Sequence, residues 1–142
     1  MEVREAQTQA ELDEALALRE RVFCGEQGVT PAADRDGRDG EATHLVAVED
    51  GRVIGTCRLL PRGRVMRLGR LAVEPDQRGR GIASKILVVA DDLARAHGAR
   101  RIDLHAQTYA IDLYLADGYV VSGERFVEEG IEHVSMEKEL DA

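Results

Sequence analysis

The residues Arg78-Gly79-Arg80-Gly81-Ile82-Ala83 lie between a strand-like and a helix-like stretch of the chain. The stretch before this turn is apolar and is closed by Pro75, and the stretch after it carries apolar residues at helical spacing up to Gly98. Glycine lets a backbone approach a ligand closely, and the first turn of a helix offers free N–H groups at the positive end of its dipole. Arg78 and Arg80 add positive charge at the same place. The sequence therefore predicts a strand–turn–helix unit that holds a pyrophosphate.

The length and composition of the chain are those of one globular domain, which we place at residues 1–142. Of the 142 residues, 44% are hydrophobic and 32% are charged, which is enough for a sizeable core. No apolar run approaches the roughly 18 residues of a membrane span, and the N-terminus lacks the basic and then apolar layout of a signal peptide. These features predict a cytoplasmic protein. The net charge of −8 disfavours a nucleic-acid partner, because phosphate contacts dominate that affinity.

Hydrophobic periodicity and turn residues divide the chain into strands and helices. We predict a strand at 3–6, a helix from about 9 to 23, a polar loop at 30–41, a hairpin of 44–48 and 52–60, a strand at 64–74, a helix at 82–98, a strand at 101–105, a short helix at 109–116, and a last hairpin of 119–126 and 131–138. Asp50-Gly51 suits a two-residue turn, because both of its positions need positive φ. We expect an α/β fold of the α+β type, with a mixed, mostly antiparallel sheet, helices on both faces, and a central helix after the pyrophosphate-binding turn.

Two well-known phosphate-binding folds do not fit the glycine turn. A P-loop needs Gly-Lys-Ser/Thr after four intervening residues, and that pattern is absent. A dinucleotide-binding fingerprint would place Ser84 where the third glycine or alanine belongs, and the chain after Gly98 is too short for further βαβ units. A pyrophosphate site outside those two folds remains.

The chain resembles the GNAT superfamily of acyl-CoA-dependent N-acyltransferases. The family pattern Arg/Gln-x-x-Gly-x-Gly/Ala is matched by Arg78, Gly81 and Ala83. A second family signature is matched by Gln107, Ala110, Tyr114 and Gly118-Tyr119, although the family more often has Asn at the first of these positions. Together the two motifs cover residues 70–120, and the order of the elements fits the whole chain.

Within that superfamily the chain resembles the ElaA-like subgroup. The subgroup has an Arg-x-x-Val-Phe-x-x-Glu-Gln type stretch at the end of its first helix, which matches residues 19–27. Its acidic loop and following histidine resemble Asp34, Asp36, Asp39 and His44, and its carboxyl end resembles residues 129–136. The substrates of this subgroup are poorly defined, so the closer match does not narrow the function.

The resemblance implies acetyl-CoA as a co-substrate. Its pantetheine arm would pair like an added strand with the backbone before the glycine turn, and its diphosphate would bind N–H groups at the start of the central helix. The acetyl thioester would then lie where this strand and the strand of residues 102–106 splay apart. The implied donor-binding residues are Leu71, Ala72, Val73, Arg78, Gly79, Arg80, Gly81, Ile82, Ala83, Ser84 and Gln107.

Transfer to an amine needs two proton movements. The departing thiolate benefits from a proton donor, and the resemblance implies Tyr114 in that role. The amine must lose a proton, and the two candidate bases are Glu74, beside the glycine turn, and Glu26, near the expected acceptor side. His105 and His44 have a suitable side chain, but histidines in such positions are more often structural.

The acidic segment of residues 34–41 superficially suggests a calcium site. A calcium loop beginning at Asp34 would need an oxygen ligand at Arg38 and a glutamate at Leu45. Both requirements fail, so we predict no metal there. We expect a solvated loop that lines the acceptor entrance.

Three functions are compatible with these observations. The leading one is an N-acetyltransferase that acts on a primary amine of a small molecule or peptide, by direct transfer in a ternary complex. The second is an acyltransferase with another acyl donor, because Arg21-Val22-Phe23 is similar to acyl-homoserine-lactone synthases, although this chain is much shorter. The third is a non-catalytic CoA-binding sensor or interaction module. The residues do not identify the acceptor, and a homodimer is an open possibility.

Overall fold

The computed structural model of the chain describes residues 1–140, which form one seven-stranded sheet with helices packed on both faces. The strand order is β1-β2-β3-β4-β5-β7-β6, and β4–β5 is the parallel pair among antiparallel neighbours. This confirms the predicted mixed, mostly antiparallel sheet. The elements are β1 (Glu2–Glu5), α1 (Gln9–Arg19), a π-helical segment (Glu20–Glu26), α2 (Pro31–Asp34), β2 (Thr43–Glu49), β3 (Arg52–Arg62), β4 (Val65–Val73), α3 (Ile82–Ala96), β5 (Arg101–Gln107), α4 (Ile111–Ala116), β6 (Val120–Glu128) and β7 (Ile131–Glu139).

Two clusters of buried side chains hold the helices to the sheet. The larger cluster joins α3 to one face and includes Ile86, Leu104 and Tyr114. The smaller cluster joins α1 to the opposite face through residues such as Leu18 and Val46. Neighbouring residues of a strand point to opposite faces, so the two clusters define an α3 face and an α1 face of the sheet.

The parallel strands β4 and β5 separate after a short paired stretch. Val65–Arg67 pair with Arg101–Asp103. Beyond that point β4 continues to Val73 and β5 to Gln107, but the two strands no longer pair with each other. We call the resulting opening, between residues 68–73 and 104–107, the β4–β5 gap. A β-bulge lies beside it, since Thr56 pairs with Ala72 while Arg58 pairs with Gly69. Bulges bend the strand that contains them, and this one bends β4 where the gap opens.

Two tight turns join the strands of the two predicted hairpins, and the first is the predicted Asp50-Gly51 turn. Asp50 and Gly51 have φ values of 52° and 73°, and they join β2 to β3 directly, with Glu49 paired to Arg52. Glu129 and Gly130 join β6 to β7 in the same way, with φ values of 52° and 74°.

The predicted first helix is present, as α1 up to Arg19 followed by the π-helical segment Glu20–Glu26. One prediction about the N-terminal half was wrong. The segment 30–41 is not simply a solvated loop. It contains α2, which Pro31 begins and Thr30 caps by accepting a hydrogen bond from the Ala33 N–H at 3.2 Å. Asp34 at the end of α2 is buried, because its carboxylate contacts Arg19 of α1 and Arg70 of β4.

The helices formed by residues 1–140 include none with the length and apolar character needed to span a membrane.

Candidate active site

A cavity of about 800 Å³ lies at the β4–β5 gap. Tyr114 and Leu104, which belong to the α3-side cluster, line one part of it. His105 and Gln107 line another part, and they point to the α1 face because they alternate with Leu104 and Ala106 along β5. The cavity is therefore accessible to chemical groups from both faces of the sheet. Two molecules approaching from opposite sides would meet in the gap.

The glycine turn leaves a row of backbone N–H groups without protein acceptors. Gly79 and Gly81 have φ values of 80° and 77°, a left-handed conformation that glycine adopts without steric cost. Within residues 1–140, the N–H groups of residues 79–84 donate no hydrogen bond to a protein acceptor, and the first such bond of α3 runs from Lys85 N to the Gly81 carbonyl at 3.1 Å. A β-carbon at either glycine would meet open space. The turn thus presents oriented donors to an anion.

The two arginines of the turn are engaged by carboxylates. Arg78 donates to both carboxylate oxygens of Glu26, at 2.9 and 3.1 Å, and its Nε donates to the Val73 carbonyl at 3.2 Å. Arg80 donates to Glu49 at 2.8 and 3.0 Å. Both pairs are substantially exposed to solvent, so an incoming diphosphate would compete with them at small cost.

The end of the π-helical segment also contacts the other side of the gap. Gln27 and Gln107 exchange side-chain hydrogen bonds of 2.7 and 3.2 Å, and the Gln27 amide reaches the Tyr109 hydroxyl at 3.1 Å. The consecutive residues Glu26 and Gln27 therefore each contact a predicted donor-binding residue. Glu26 contacts Arg78 on one side of the gap, and Gln27 contacts Gln107 on the other. π-Helical turns are often found at functional sites.

Tyr114 is buried on α4 and lines the cavity. Burial raises the pKa of its phenol well above the usual range, with smaller effects from Cys57 and Tyr109. The hydroxyl is therefore protonated at neutral pH, as a proton donor must be.

Glu74 is also buried, but it does not line the cavity. Its carboxylate accepts a hydrogen bond from Arg21 and lies 3.7 Å from Arg52. The side chain is thus directed toward arginines of the π-helical segment and β3 rather than toward the gap.

The acidic segment forms a buried network with three arginines. Arg19 contacts Asp34 at 3.3 Å and Asp39 at 2.7 Å. Arg58 binds both oxygens of Asp36, at 2.8 and 2.9 Å, and these hydrogen bonds hold the pKa of Asp36 well below its usual range. Arg70, at the bulge with a φ of 54°, donates to the Ala33 carbonyl at 3.0 Å. The network attaches the acidic segment to the bulge beside the gap, and His44 supports it through a contact of 2.9 Å with the Asp39 carbonyl.

The structure brings most of the predicted site residues to the cavity. The predicted residues that line it are Glu26, Leu71, Ala72, Val73, Arg78, Ala83, Gln107 and Tyr114. Gly79, Arg80, Gly81 and Ser84 lie at the adjoining turn and helix start, and Ile82 is buried in the α3-side cluster. The sequence prediction missed Gln27 and Tyr109, although Gln27 belongs to the subgroup stretch of residues 19–27.

Across residues 1–140, no group of three or more His, Cys, Asp and Glu side chains is arranged to hold a metal ion. Asp34, Asp36 and Asp39 of the acidic segment bind arginines instead.

Comparison with known proteins gives one consistent result. The family model of the GNAT acetyltransferase domain matches residues 5–140. YyaT of Bacillus subtilis strain 168 is 32% identical over 143 residues, which cover 99% of this chain and 97% of YyaT.

Solved structures share the fold over nearly the whole chain. A Lactobacillus plantarum protein superposes with a TM-score of 0.90 at 29% identity, covering 98% of this chain and 97% of that one. An acyl-CoA N-acyltransferase of Pseudomonas aeruginosa has a TM-score of 0.85 at 28% identity, covering 97% and 99%. Escherichia coli ElaA has a TM-score of 0.86 at 24% identity, covering 97% and 99%.

Proposed function

The chain belongs to the GNAT acetyltransferase family, and we propose that it moves an acetyl group from acetyl-CoA to a primary amine of a small molecule or peptide. The transfer is direct, within a ternary complex of enzyme, donor and acceptor. The observation that carries this proposal is the cavity at the β4–β5 gap, which has lining residues on both faces of the sheet. A donor on the α3 side and an acceptor on the α1 side would meet there without a covalent enzyme intermediate.

The donor would bind along β4 and at the start of α3. The edge of β4 that faces the gap is unpaired beyond Arg67, so backbone groups of Leu71, Ala72 and Val73 would pair with an extended pantetheine arm. Arg78 would then leave the Val73 carbonyl, to which it donates at 3.2 Å. The N–H groups of residues 79–84 have no protein acceptor within the described chain, and they would bind the diphosphate. Arg78 would exchange Glu26 for a phosphate oxygen.

Tyr114 would protonate the departing thiolate of CoA. It lines the cavity from the α3 side, which is the side from which the donor enters. Its hydroxyl is protonated at neutral pH, so it has a proton to give when the carbon–sulfur bond breaks.

Of the two carboxylates predicted as bases, only Glu26 lines the cavity. Glu74 is directed toward Arg21 and Arg52, which argues against direct contact with an amine in the gap. Both oxygens of Glu26 accept hydrogen bonds from Arg78, so Glu26 becomes available to a substrate proton only after Arg78 has turned to another anion.

Two measurements test the proposal. Saturating CoA, at about 100 times its Kd, should raise the free energy of unfolding by about 2.7 kcal/mol, which a thermal melt detects. A thiol-release assay with acetyl-CoA over a panel of amines should then give turnover on at least one amine.

The alternatives give different results in the same assays. Turnover only with longer acyl-CoA donors would indicate another acyl donor, and CoA binding without turnover on any amine would indicate a sensor or interaction module. Absence of any CoA effect on the melt would overturn the proposal. The cytoplasmic location and the homodimer stay predictions from the sequence.

A further inference from the structure

His105 lies where the β4–β5 gap begins. The last pair of the parallel ladder is Arg67 with Asp103, and His105 is the next residue of β5 that points to the same α1 face. It lines the cavity, and about a third of its side chain is exposed (36%). Tyr114, the proposed acid, lines the same cavity from the other face. The two side chains thus lie on opposite sides of the position proposed for the thioester.

A carboxylate orients the imidazole of His105. Its Nδ1 lies 3.0 Å from an Oε2 oxygen of Glu128 on β6, and the Phe126 ring packs edge-on against it with centroids 4.9 Å apart. An Nδ1–H that donates to Glu128 leaves the lone pair of the neutral ring on Nε2. A histidine held in one tautomer by a carboxylate is the arrangement of a general base.

Charged and titratable groups of the neighbouring strands surround the ring. Arg67 of β4 lies 3.5 Å from Nε2, and its charge is balanced by Asp103, at 2.7 Å. Glu128 of β6 is in direct contact, and His133 of β7 stacks on the far side of Phe126, with ring centroids 5.8 Å apart. An imidazolium formed at His105 would have Glu128 as its counter-charge. To reach the Nε2 lone pair, the acceptor amine would first displace the long hydrogen bond from Arg67.

We infer that His105 is the general base of the proposed transferase, taking the proton of the acceptor amine at Nε2, with Glu128 as its positioning residue. This inference rests on the proposed function. It assigns the base to the acceptor side of the gap, and Glu26, whose oxygens are both held by Arg78, then serves to hold that arginine.

The proton and electron balance is complete without a further reactant. The alkylammonium, with a pKa of about 10.4, gives one proton to His105 Nε2, which passes it to solvent. The freed lone pair forms the nitrogen–carbon bond, the carbon–sulfur bond breaks, and the sulfur takes the proton of Tyr114 Oη. The excess proton on the new amide nitrogen leaves through water, and the phenolate is reprotonated from solvent.

The test compares His105→Gln and Glu128→Gln with His97→Gln, an exposed histidine at the end of α3 outside the cavity. With an amine found in the panel, His105→Gln should lower kcat at least about 100-fold, while CoA raises the melting temperature as in the wild type. Glu128→Gln should give a smaller loss, and His97→Gln should have no effect.

Two further readouts separate a base from a structural residue. Only the neutral imidazole accepts a proton, so the pH profile of the wild-type kcat should have an acid limb on which kcat rises with pH. This limb should be absent in His105→Gln and should lie at a different pH in Glu128→Gln. Added imidazole should restore part of the activity of His105→Ala.

The outcomes distinguish this inference from the function on which it rests. The inference would be overturned if the kcat of His105→Gln were within about threefold of the wild-type value. It would also be overturned if the acid limb of the pH profile disappeared in Glu26→Gln instead. Either result would leave the proposed transferase function intact. A wild-type protein that binds CoA and acetylates no amine would overturn both.

Discussion

Arg78 donates two hydrogen bonds to Glu26, one to each carboxylate oxygen, at 2.9 and 3.1 Å. The first residue begins the predicted diphosphate turn, and the second ends the π-helical segment on the α1 face. The pair therefore connects the proposed donor site with the proposed acceptor side. A diphosphate and the Glu26 carboxylate cannot both occupy the same face of the guanidinium, so donor binding and this contact should exclude each other.

Glu26→Gln should therefore tighten CoA binding. The pair is 40–45% exposed, and exposed ion pairs contribute about 0.2–1 kcal/mol, which corresponds to a Kd lower by about 1.4- to fivefold. Calorimetric titration with CoA measures the change. Glu20→Gln, an exposed glutamate at the start of the same segment, is the matched control and should leave the Kd as it is. Weaker binding by Glu26→Gln would contradict the competition.

Tyr114→Phe should lower turnover at least about tenfold while CoA still binds, because it removes the proposed proton donor and little volume. Tyr119→Phe is the matched control, since Tyr119 is buried beside Tyr114 and its hydroxyl has no hydrogen-bond partner among residues 1–140. The control should leave turnover unchanged and leave the free energy of unfolding equal or slightly higher. Thiol release and thermal melts measure both. Equal turnover in the two variants would remove Tyr114 from the acid role.

Gly81→Ala should weaken CoA binding at least about tenfold, equivalent to 1.4 kcal/mol. A side chain disfavours the φ of 77°, so the backbone N–H groups of the turn would change direction. Gly98→Ala, just beyond the C-terminal end of α3 with a φ of 81°, introduces the same kind of strain away from the cavity. Both variants should lose about 1 kcal/mol of stability, and only Gly81→Ala should lose affinity. Equal affinities would argue that the turn does not bind the donor.

Asp36→Asn should destabilise the protein near neutral pH and matter little in acid. The Arg58 hydrogen bonds lower the pKa of Asp36 in the folded state, so its contribution is present above the unfolded-state pKa of about 3.9 and is lost as the pH falls further. We expect a loss of about 1.5–3 kcal/mol at pH 7, shrinking below about pH 4. Denaturant titrations at several pH values measure it, and Asp13→Asn, which changes an exposed carboxylate on α1, is the control. A loss independent of pH would show that the charge of Asp36 is not what stabilises the network.

Features that depend on neighbouring residues could be predicted from the sequence. Asp50-Gly51 and the glycines at 79 and 81 adopt the positive φ values that glycine and Asp tolerate best. The helix after the turn follows from the spacing of its apolar residues, and its face packs on the sheet as expected. Such features are decided by local sterics and by the period of the apolar residues, both of which can be read along the chain.

Features that depend on residues far apart in the chain could not be predicted from the sequence. The segment 30–41 is polar and reads as a solvated loop, yet Asp34 is buried because Arg19 and Arg70 reach it from other elements. Glu74 and Glu26 are both carboxylates near the predicted turn, and only the fold shows that one contacts Arg21 while the other lines the cavity. Ion pairing between residues far apart in the chain leaves no local pattern.

The sequence by itself determined the glycine turn, the helix behind it and the tyrosine that follows at family spacing, because each rests on backbone sterics or on a motif within one stretch of chain. Only the tertiary structure decided that His105 and Tyr114 line one cavity from opposite faces of the sheet. That arrangement exists because β4 and β5 stop pairing after Arg67 and Asp103, and the separation of two strands depends on the bulge and packing of the assembled sheet.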